Sequence, residues 1–485
     1  MDTSRNLATD SQQAQAAAIA GVATLVVFVA QLSFPQIPPV LTVIPLLLFV
    51  VYSIYIRQGV WDHTTLFALA TLFYGGIPLA TMDESGQLFL GYDYVGGYLI
   101  YSISIITILF GTAIAVKVMK AELSGGHADV RSPEEKDRIF SVASLIAGVF
   151  SLALSATYIA QHGVVLSNSQ AYAEGFISRQ ETGAGLFLLA VPLAICCVSF
   201  SLAKMRTYTL TELLLPIAPF LGLYAAHGQR RFLIIPALSF TVRYFRVRRL
   251  GQVIGLVVGI VSVIFLFNYY GFLRQQAVPV SEALNPSTWD AFARNLRVYL
   301  GGEATAIYAT ATAAYHHAIE PLPFGADYWG TPLLLVPQFM FGSLFEPLND
   351  RFALVVTRAA AVRGGGWGFS FFGEAYLNLG FLGVVTLCIA TAFFFRYLSL
   401  CSKQGRFSGL SGVISLSLIQ MSFWFQRNAF AYGFKDAAYQ IIAVFVIFGA
   451  ALVATSALNR RRPNIKRGST TQPSNIRNLP LRARP

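Results

Sequence analysis

The sequence is poor in charged residues and in cysteine. Only 12% of its 485 residues are Asp, Glu, Lys or Arg, whereas 55% are hydrophobic, and the mean hydropathy is +0.58. A soluble globular domain carries about twice as large a share of charge, so that class of protein is excluded. All four cysteines lie in or beside apolar segments: Cys196, Cys197, Cys388 and Cys401. Their spacing matches neither a zinc site nor a disulfide-stapled ectodomain.

Several functional patterns are missing as well. The sequence has no Asp-x-Asp pair and no nucleotide-binding pattern, so it predicts no metal and no cofactor. It also has no alternation typical of barrel strands and no pair of matched, glycine- or proline-broken spans, which counts against an inverted-repeat transporter. The polar leader 1–15 lacks a basic start and a cleavage pattern, so we expect the first apolar run to be a retained helix.

Apolar runs long enough to cross a bilayer recur along the chain, and spans of this kind must be helical. They predict an all-α, polytopic transmembrane bundle with about twelve spans, at 16–33, 38–56, 64–81, 95–116, 139–161, 184–203, 210–226, 232–245, 251–270, 381–397, 408–425 and 437–457. The other segments are a cytoplasmic leader (1–15), a large periplasmic loop with helices and a membrane-dipping element (271–380), and a basic, disordered cytoplasmic tail (459–485).

The orientation follows from the distribution of Lys and Arg. With both termini in the cytoplasm, most of these residues fall inside, as the positive-inside rule requires. The span 232–245 is short, and if it did not cross, everything after it would invert and place the basic tail outside. The net charge of +12 lies mostly at the inner surface. The partners expected there are membrane lipids with anionic headgroups rather than nucleic acid.

The cations predicted to lie outside are almost all arginine. A guanidinium binds phosphate or carboxylate through two hydrogen bonds, so this bias favours an acidic or phosphorylated ligand. The alternatives are pairing with the outer acids and snorkelling to headgroups. The substrate-binding candidates are Arg230, Arg231, Arg274, Arg351, Arg358 and Arg427. Arg230 and Arg231 stand out because adjacent guanidiniums at a bilayer boundary are costly without an anion, and a lipid pyrophosphate suits them, with ordinary headgroups as the alternative.

The long loop also holds candidates for a catalytic base. The apolar spacing predicts a helix over 290–318, with Glu303 inside it and His316 and His317 at its end. A histidine facing a sugar hydroxyl could remove its proton, because its pKa lies near neutrality. The alternative is that these histidines only end the helix.

The loop ends in two distinctive segments. Residues 325–347 are apolar but broken by Pro and Gly, which predicts an element that dips into the membrane or lies at its interface. The run 364–380 is rich in glycine and contains Glu374, followed one helical turn later by Asn378. A carboxylate at the start of a span is expensive unless paired, so Glu374 is a catalytic candidate and Asn378 a substrate-binding one; pairing of Glu374 with Arg351 or Arg427 is the alternative.

These segments resemble a known family. The segment Gly228-Gln-Arg230, the aromatic and proline-containing element that ends at Pro347, and above all the run from Ser370 through Gly-Glu374-Ala-Tyr-Leu-Asn378-Leu-Gly380 to Gly383 are similar to the oligosaccharide repeat-unit polymerases, the Wzy-type O-antigen polymerases. The resemblance covers roughly residues 225–435.

The resemblance implies a glycosyltransferase of the bacterial inner membrane that needs no metal. Such an enzyme transfers a growing chain from undecaprenyl pyrophosphate to the next lipid-linked unit, for O-antigen, capsule or exopolysaccharide. Arg230 or Arg231 would bind pyrophosphate, and Glu374 and Asn378 would line the active-site rim. A chain-length regulator and a flippase are the protein partners to expect. Two alternatives are an O-antigen ligase of similar architecture and a lipid-linked oligosaccharide flippase or other transporter.

Overall fold

The structure is a computed structural model. It describes residues 3–56, 62–81, 93–119, 132–163, 184–204, 215–227, 231–244, 282–294, 296–321, 325–336, 345–356, 368–403 and 409–460, with isolated positions between 252 and 278. Within these ranges the protein is helical and contains no strand, which confirms the all-α prediction.

The first half of the described chain forms nine α-helices. They are α1 (Thr3–Ser33), α2 (Ile44–Ile56), α3 (His63–Thr71), α4 (Ile77–Thr81), α5 (Val95–Val118), α6 (Pro133–His162), α7 (Ala184–Ala203), α8 (Ala218–His227) and α9 (Arg231–Tyr244). Their starts follow from local sequence. Asp62 accepts a hydrogen bond from Thr65 N at 2.7 Å, and Ser132 accepts one from Glu135 N at 3.2 Å, so each side chain satisfies an otherwise unpaired donor.

The second half contributes eight more. They are α10 (Pro286–Arg294), α11 (Leu296–Tyr315), α12 (Ala326–Trp329), α13 (Leu348–Val356), α14 (Phe371–Lys403), α15 (Leu410–Ser417), α16 (Met421–Arg427) and α17 (Phe430–Arg460). The predicted helix 290–318 is thus two helices, and the predicted polar leader 1–15 already belongs to α1 from Thr3 onward.

Six described helices are long and apolar enough to cross a membrane. They are Ala8–Ser33, Pro39–Ile56, Val95–Val118, Glu134–Gln161, Phe371–Ser402 and Phe430–Leu458, and each coincides with a predicted span. Large apolar side chains such as Ile19, Val26 and Leu382 stand more than half exposed on them, as lipid-facing residues do. The count of twelve spans and the periplasmic loop stay predictions.

Two groups of helices share buried cores. One core lies between α5, α11, α14 and their neighbours, where glycine permits close approach: a side chain on Gly111 would lie 3.2 Å from Ala392. The other lies between α6, α7, α8, α15 and α17, with Phe140 and Phe200 at its centre. We call the end of the bundle that contains Asp93 and Tyr315 the site end; at the opposite end, Asp10 of α1 pairs with Arg396 of α14 at 2.7 Å.

The helix α11 lies inside this bundle and not on its surface. Its residues Ala304, Tyr308 and Ala314 are fully buried, and its alanines and threonines let α5 and α14 pack closely against it. Ser370 N donates to Thr310 Oγ1 of α11 at 2.8 Å, which fixes the start of α14. The described side chains of α11 between 304 and 314 are all buried or half-buried.

The helix α14 reverses direction near its start. Leu379 and Gly380 have non-helical dihedral angles, and Gly380 has φ of +60° and ψ of −153°, a conformation that glycine adopts without a Cβ clash. Beyond the break, the backbone of Gly383 packs directly on the carbonyl of Ala375. The segment 371–378 is consequently a short helix folded back on the long span that follows it, and it carries both Glu374 and Asn378.

Candidate functional site

Glu374 sits on the first turn of α14 and is completely buried. The helix begins at Phe371 because Ser370 accepts a hydrogen bond from Gly373 N at 3.2 Å, as an N-cap serine does. Glu374 Oε2 accepts a hydrogen bond from Phe430 N at 2.5 Å, at the N-terminus of α17, where negative charge is stabilised by the helix dipole. Its other oxygen, Oε1, has no hydrogen-bond partner among the described residues. One oxygen therefore anchors the carboxylate, and the other is buried without a hydrogen-bond partner among the described residues.

Asn378 follows one turn later and points its amide oxygen toward the same region. Its Nδ2 donates to the carbonyl of Glu374 at 2.9 Å, which fixes the amide orientation because a carbonyl can only accept. The oxygen, Oδ1, is buried and finds no partner within the described part of the chain. It faces Gly325, where a Cβ atom would lie 4.0 Å away, and Gly325 has φ of +67°.

An ion pair closes one side of the site. Asp327 of α12 is buried and pairs with Arg351 of α13, whose Nη1 also donates to the carbonyl of Glu320 at 3.2 Å. Both charges lie close enough to Glu374 to interact electrostatically with its carboxylate. Arg351 thus pairs with Asp327, and no described hydrogen bond or ion pair joins it to Glu374.

Tyr328 covers the site from the same short helix. Its ring packs edge-on against Phe430 with centroids 5.5 Å apart. Burial raises the pKa of Tyr328 well above its usual range, and the carboxylates of Glu374 and Asp327 raise it further. The phenol is therefore neutral at physiological pH and cannot supply a second negative charge.

A second polar group anchors α13 beside the site. Asn349 donates to Asn428 Oδ1 at 3.2 Å and accepts from Ala429 N at 2.9 Å. The neighbouring carboxylate of Asp350 accepts from the Tyr432 hydroxyl at 2.8 Å. Burial raises the pKa of Asp350 and Glu346 adds to the effect, whereas Tyr432 and Lys435 oppose it. These contacts hold Arg351 in place by fixing the residues that precede it.

The two histidines end α11, as the predicted alternative held. His317 has φ of +49° and its N–H bonds to the carbonyl of Ala314 at 3.1 Å, while Ala318 N bonds to that of Ala313 at 2.9 Å. This pair of bonds is a Schellman motif, which closes helix C-termini. His316 Nε2 lies 3.5 Å from Asp93 Oδ1, and about a third of its side chain is exposed. Neither ring contacts Glu374 or Asn378 in any described interaction.

For most of the remaining candidates the structure shows no contact with this cluster. Arg230, Arg274 and Arg358 lie outside the described residues. Arg231 begins α9 and Glu303 lies on α11, but the side chains of these two residues are not among those described. Arg427 ends α16 with its guanidinium 5.8 Å from the Trp424 ring centroid, and its carbonyl packs on Gly368. Among the described residues, no cluster of three or more His, Cys, Asp or Glu could hold a metal ion.

Sequence reasoning missed Asp327, Tyr328, Asn349 and Tyr432 as members of this region. The sequence could have indicated Asp327, because a carboxylate within an apolar, proline-broken segment requires a partner. No sequence feature indicated Asn349 or Tyr432, since each is a common residue type with partners far away in sequence.

Comparison with known proteins gives one match. A protein-family model described as O-antigen polysaccharide polymerase Wzy matches residues 17–457, which is nearly the whole chain. No curated protein and no solved structure matches it.

Proposed function

Because the chain belongs to the O-antigen polysaccharide polymerase Wzy family, we propose that it joins lipid-linked oligosaccharide repeat units, with Glu374 as the general base. The buried carboxylate with one anchored and one available oxygen carries this proposal. The proposed location is the bacterial inner membrane, with cytoplasmic termini and the site end facing the periplasm. A flippase that supplies the units and a chain-length regulator are the proposed protein partners.

The proposed reaction is a glycosyl transfer from a polyprenyl-pyrophosphate carrier such as undecaprenyl pyrophosphate. The acceptor hydroxyl oxygen forms a bond to the anomeric carbon of the growing chain, and the bond from that carbon to the pyrophosphate oxygen breaks. Glu374 Oε1 takes the hydroxyl proton, and the carrier leaves as the pyrophosphate anion. The step needs no oxidant, metal or nucleotide in this proposal.

The departing pyrophosphate requires positive charge near it. We assign this task to arginines of the predicted outer face, above all Arg230 and Arg231, with Arg274 and Arg358 as further candidates. Arg351 has a different surrounding: its charge is matched by Asp327 and it lies beside the proposed base. It is better suited to hold the Glu374 carboxylate than to bind the carrier.

The test is Glu374→Gln in a strain that lacks the chromosomal gene. The glutamine carbonyl can still accept from Phe430 N, so we expect normal membrane insertion, while the loss of the base lowers chain growth by about 100-fold or more. Glycan profiling then shows single units in place of long chains. Long chains at the wild-type level, with equal protein in the membrane, would refute the role of Glu374.

The same profile separates the rival functions. Loss of a ligase leaves long chains on the carrier lipid, whereas loss of a polymerase leaves short ones. Arg230→Gln together with Arg231→Gln should also leave single units, and undiminished long chains would exclude both arginines from carrier binding.

A further inference from the structure

The hydrogen-bonding atoms left open at the site are of one kind. Glu374 Oε1 and Asn378 Oδ1 are buried oxygens with no partner among the described residues. The amide oxygen of Asn378 can only accept, and a carboxylate that acts as a base accepts as well. Leaving such atoms unpaired costs free energy. A ligand that donates hydrogen bonds would remove this cost, and an anion could not.

The charge at the site points the same way. Asp327 and Arg351 neutralise each other, so neither this pair nor Glu374 offers an unmatched positive charge. An anion brought into a buried region without a cation beside it is strongly disfavoured. The pyrophosphate of a lipid carrier is therefore disfavoured here, whereas a sugar hydroxyl or an amide N–H of an acetamido sugar can donate a hydrogen bond.

One helical face carries both oxygens. Glu374 and Asn378 are four residues apart on it, so their side chains lie side by side. Gly325, which has no side chain, lies next to Asn378 Oδ1, and Tyr328 packs on Phe430, whose N–H holds the Glu374 carboxylate. A ligand with two neighbouring hydrogen-bond donors, as a pyranose has, matches two acceptors placed in this way.

We propose that Glu374 and Asn378 form the acceptor half of the site, which holds the non-reducing-end sugar of the incoming unit, and that the donor pyrophosphate binds elsewhere. Asn378 is then a specificity-determining residue: it orients the acceptor sugar so that one hydroxyl reaches Glu374 Oε1. This inference rests on the proposed function, and it adds which of the two substrates each group contacts.

The test uses Asn378→Ser in the purified full chain in lipid vesicles. A serine hydroxyl can still donate to the carbonyl four residues back, as Thr386 does to Leu382 at 2.9 Å, but the serine side chain is too short to place an oxygen where Asn378 Oδ1 lies. The variant therefore keeps the side-chain hydrogen bond to the Glu374 carbonyl and loses only the acceptor atom Oδ1. Thr386→Ala on the same helix, away from the site, is the matched control.

Two competitors report on the two halves separately. Lipid-linked units isolated from a polymerase-deficient strain are the substrate, the oligosaccharide released from them by mild acid is the acceptor probe, and inorganic pyrophosphate is the donor probe. We expect Asn378→Ser to weaken inhibition by the free oligosaccharide by about fivefold to tenfold, the effect of one hydrogen bond, and to leave inhibition by pyrophosphate unchanged.

Three outcomes would overturn this inference. They are weaker inhibition by pyrophosphate alone, equal weakening of both competitors, and a slower turnover with both inhibition constants unchanged. Inactivity of Glu374→Gln alongside any of these would leave the proposed base intact and remove only the acceptor assignment. Full activity of Glu374→Gln would instead remove the proposed mechanism itself.

Discussion

At the scale of single residues, the buried carboxylates of this protein have different surroundings. Asp327 forms an ion pair with a guanidinium. Glu374 accepts one hydrogen bond from a helix N-terminus and has a second oxygen without a partner among the described residues, and Asp350 accepts a hydrogen bond from the Tyr432 hydroxyl. Sequence alone could show that such groups need partners, but not which partner each one has. That difference separates a structural acid from a candidate base.

Asp350 yields a prediction on pH and stability. Burial raises the pKa of its carboxyl above the ordinary value, so in this range the folded state binds more protons than the unfolded one. We therefore expect stability to fall as pH rises from the ordinary carboxyl pKa to the raised one. Asp350→Asn should remove that slope and be at least as stable as the wild type at neutral pH, as measured by thermal unfolding in detergent.

Tyr432→Phe is the complementary change. It removes the hydroxyl that donates to Asp350, so at neutral pH it should lower stability by about 1–3 kcal/mol. In the Asp350→Asn background the loss should shrink. A pH slope that survives Asp350→Asn unchanged would show that other groups cause it.

At the scale of helices, the site depends on a reversal in α14. Glycine at position 380 permits the turn, and the fold-back brings Glu374 against the N-terminus of α17. The sequence pattern correctly predicted a span starting near 381 and a helical spacing between Glu374 and Asn378. It could not predict that these residues form their own short helix, because local sequence does not encode where the returning chain packs.

The opposite end of the bundle offers a prediction on helix association. Arg396 of α14 is almost fully buried, pairs with Asp10 of α1 and donates to the carbonyl of Met119 at 3.2 Å. Arg396→Met removes the guanidinium partner of a buried carboxylate and should destabilise the protein by about 3–5 kcal/mol, seen as a lower thermal unfolding midpoint.

The double variant Asp10→Leu with Arg396→Met is the control for that change. It removes both charges, so most of the lost stability should return, because a buried ion pair and an apolar pair of similar size are close in free energy. If the double variant were as unstable as the single one, packing would explain the loss and not the ion pair.

At the scale of the whole molecule, the candidate site around Glu374 and the Asp10–Arg396 pair lie at opposite ends of one bundle. The proposed orientation places the site end in the periplasm. Glu320 is exposed at the site end, and Glu134 is exposed at the start of α6, away from it. We expect a membrane-impermeant maleimide to label Glu320→Cys in intact spheroplasts and to label Glu134→Cys only after lysis.

The native cysteines should give little background labelling in this experiment. Its four cysteines, Cys196, Cys197, Cys388 and Cys401, are all buried. Labelling of Glu134→Cys in intact spheroplasts, with Glu320→Cys protected, would invert the orientation and place the proposed site on the cytoplasmic side, away from the expected supply of lipid-linked units.

The amino-acid sequence was enough to predict the membrane class, the positions of the six long spans, the family resemblance and two residues of the candidate site, Glu374 and Asn378. These follow from hydropathy and from a local run of residues, both of which can be read along the chain. Only the folded structure shows that α11 is buried and that Asp327, Arg351 and Phe430 surround Glu374. The contacts around Glu374 join residues 23 to 56 positions apart, and such partners are set by packing and by the need to pair buried charge, not by local pattern.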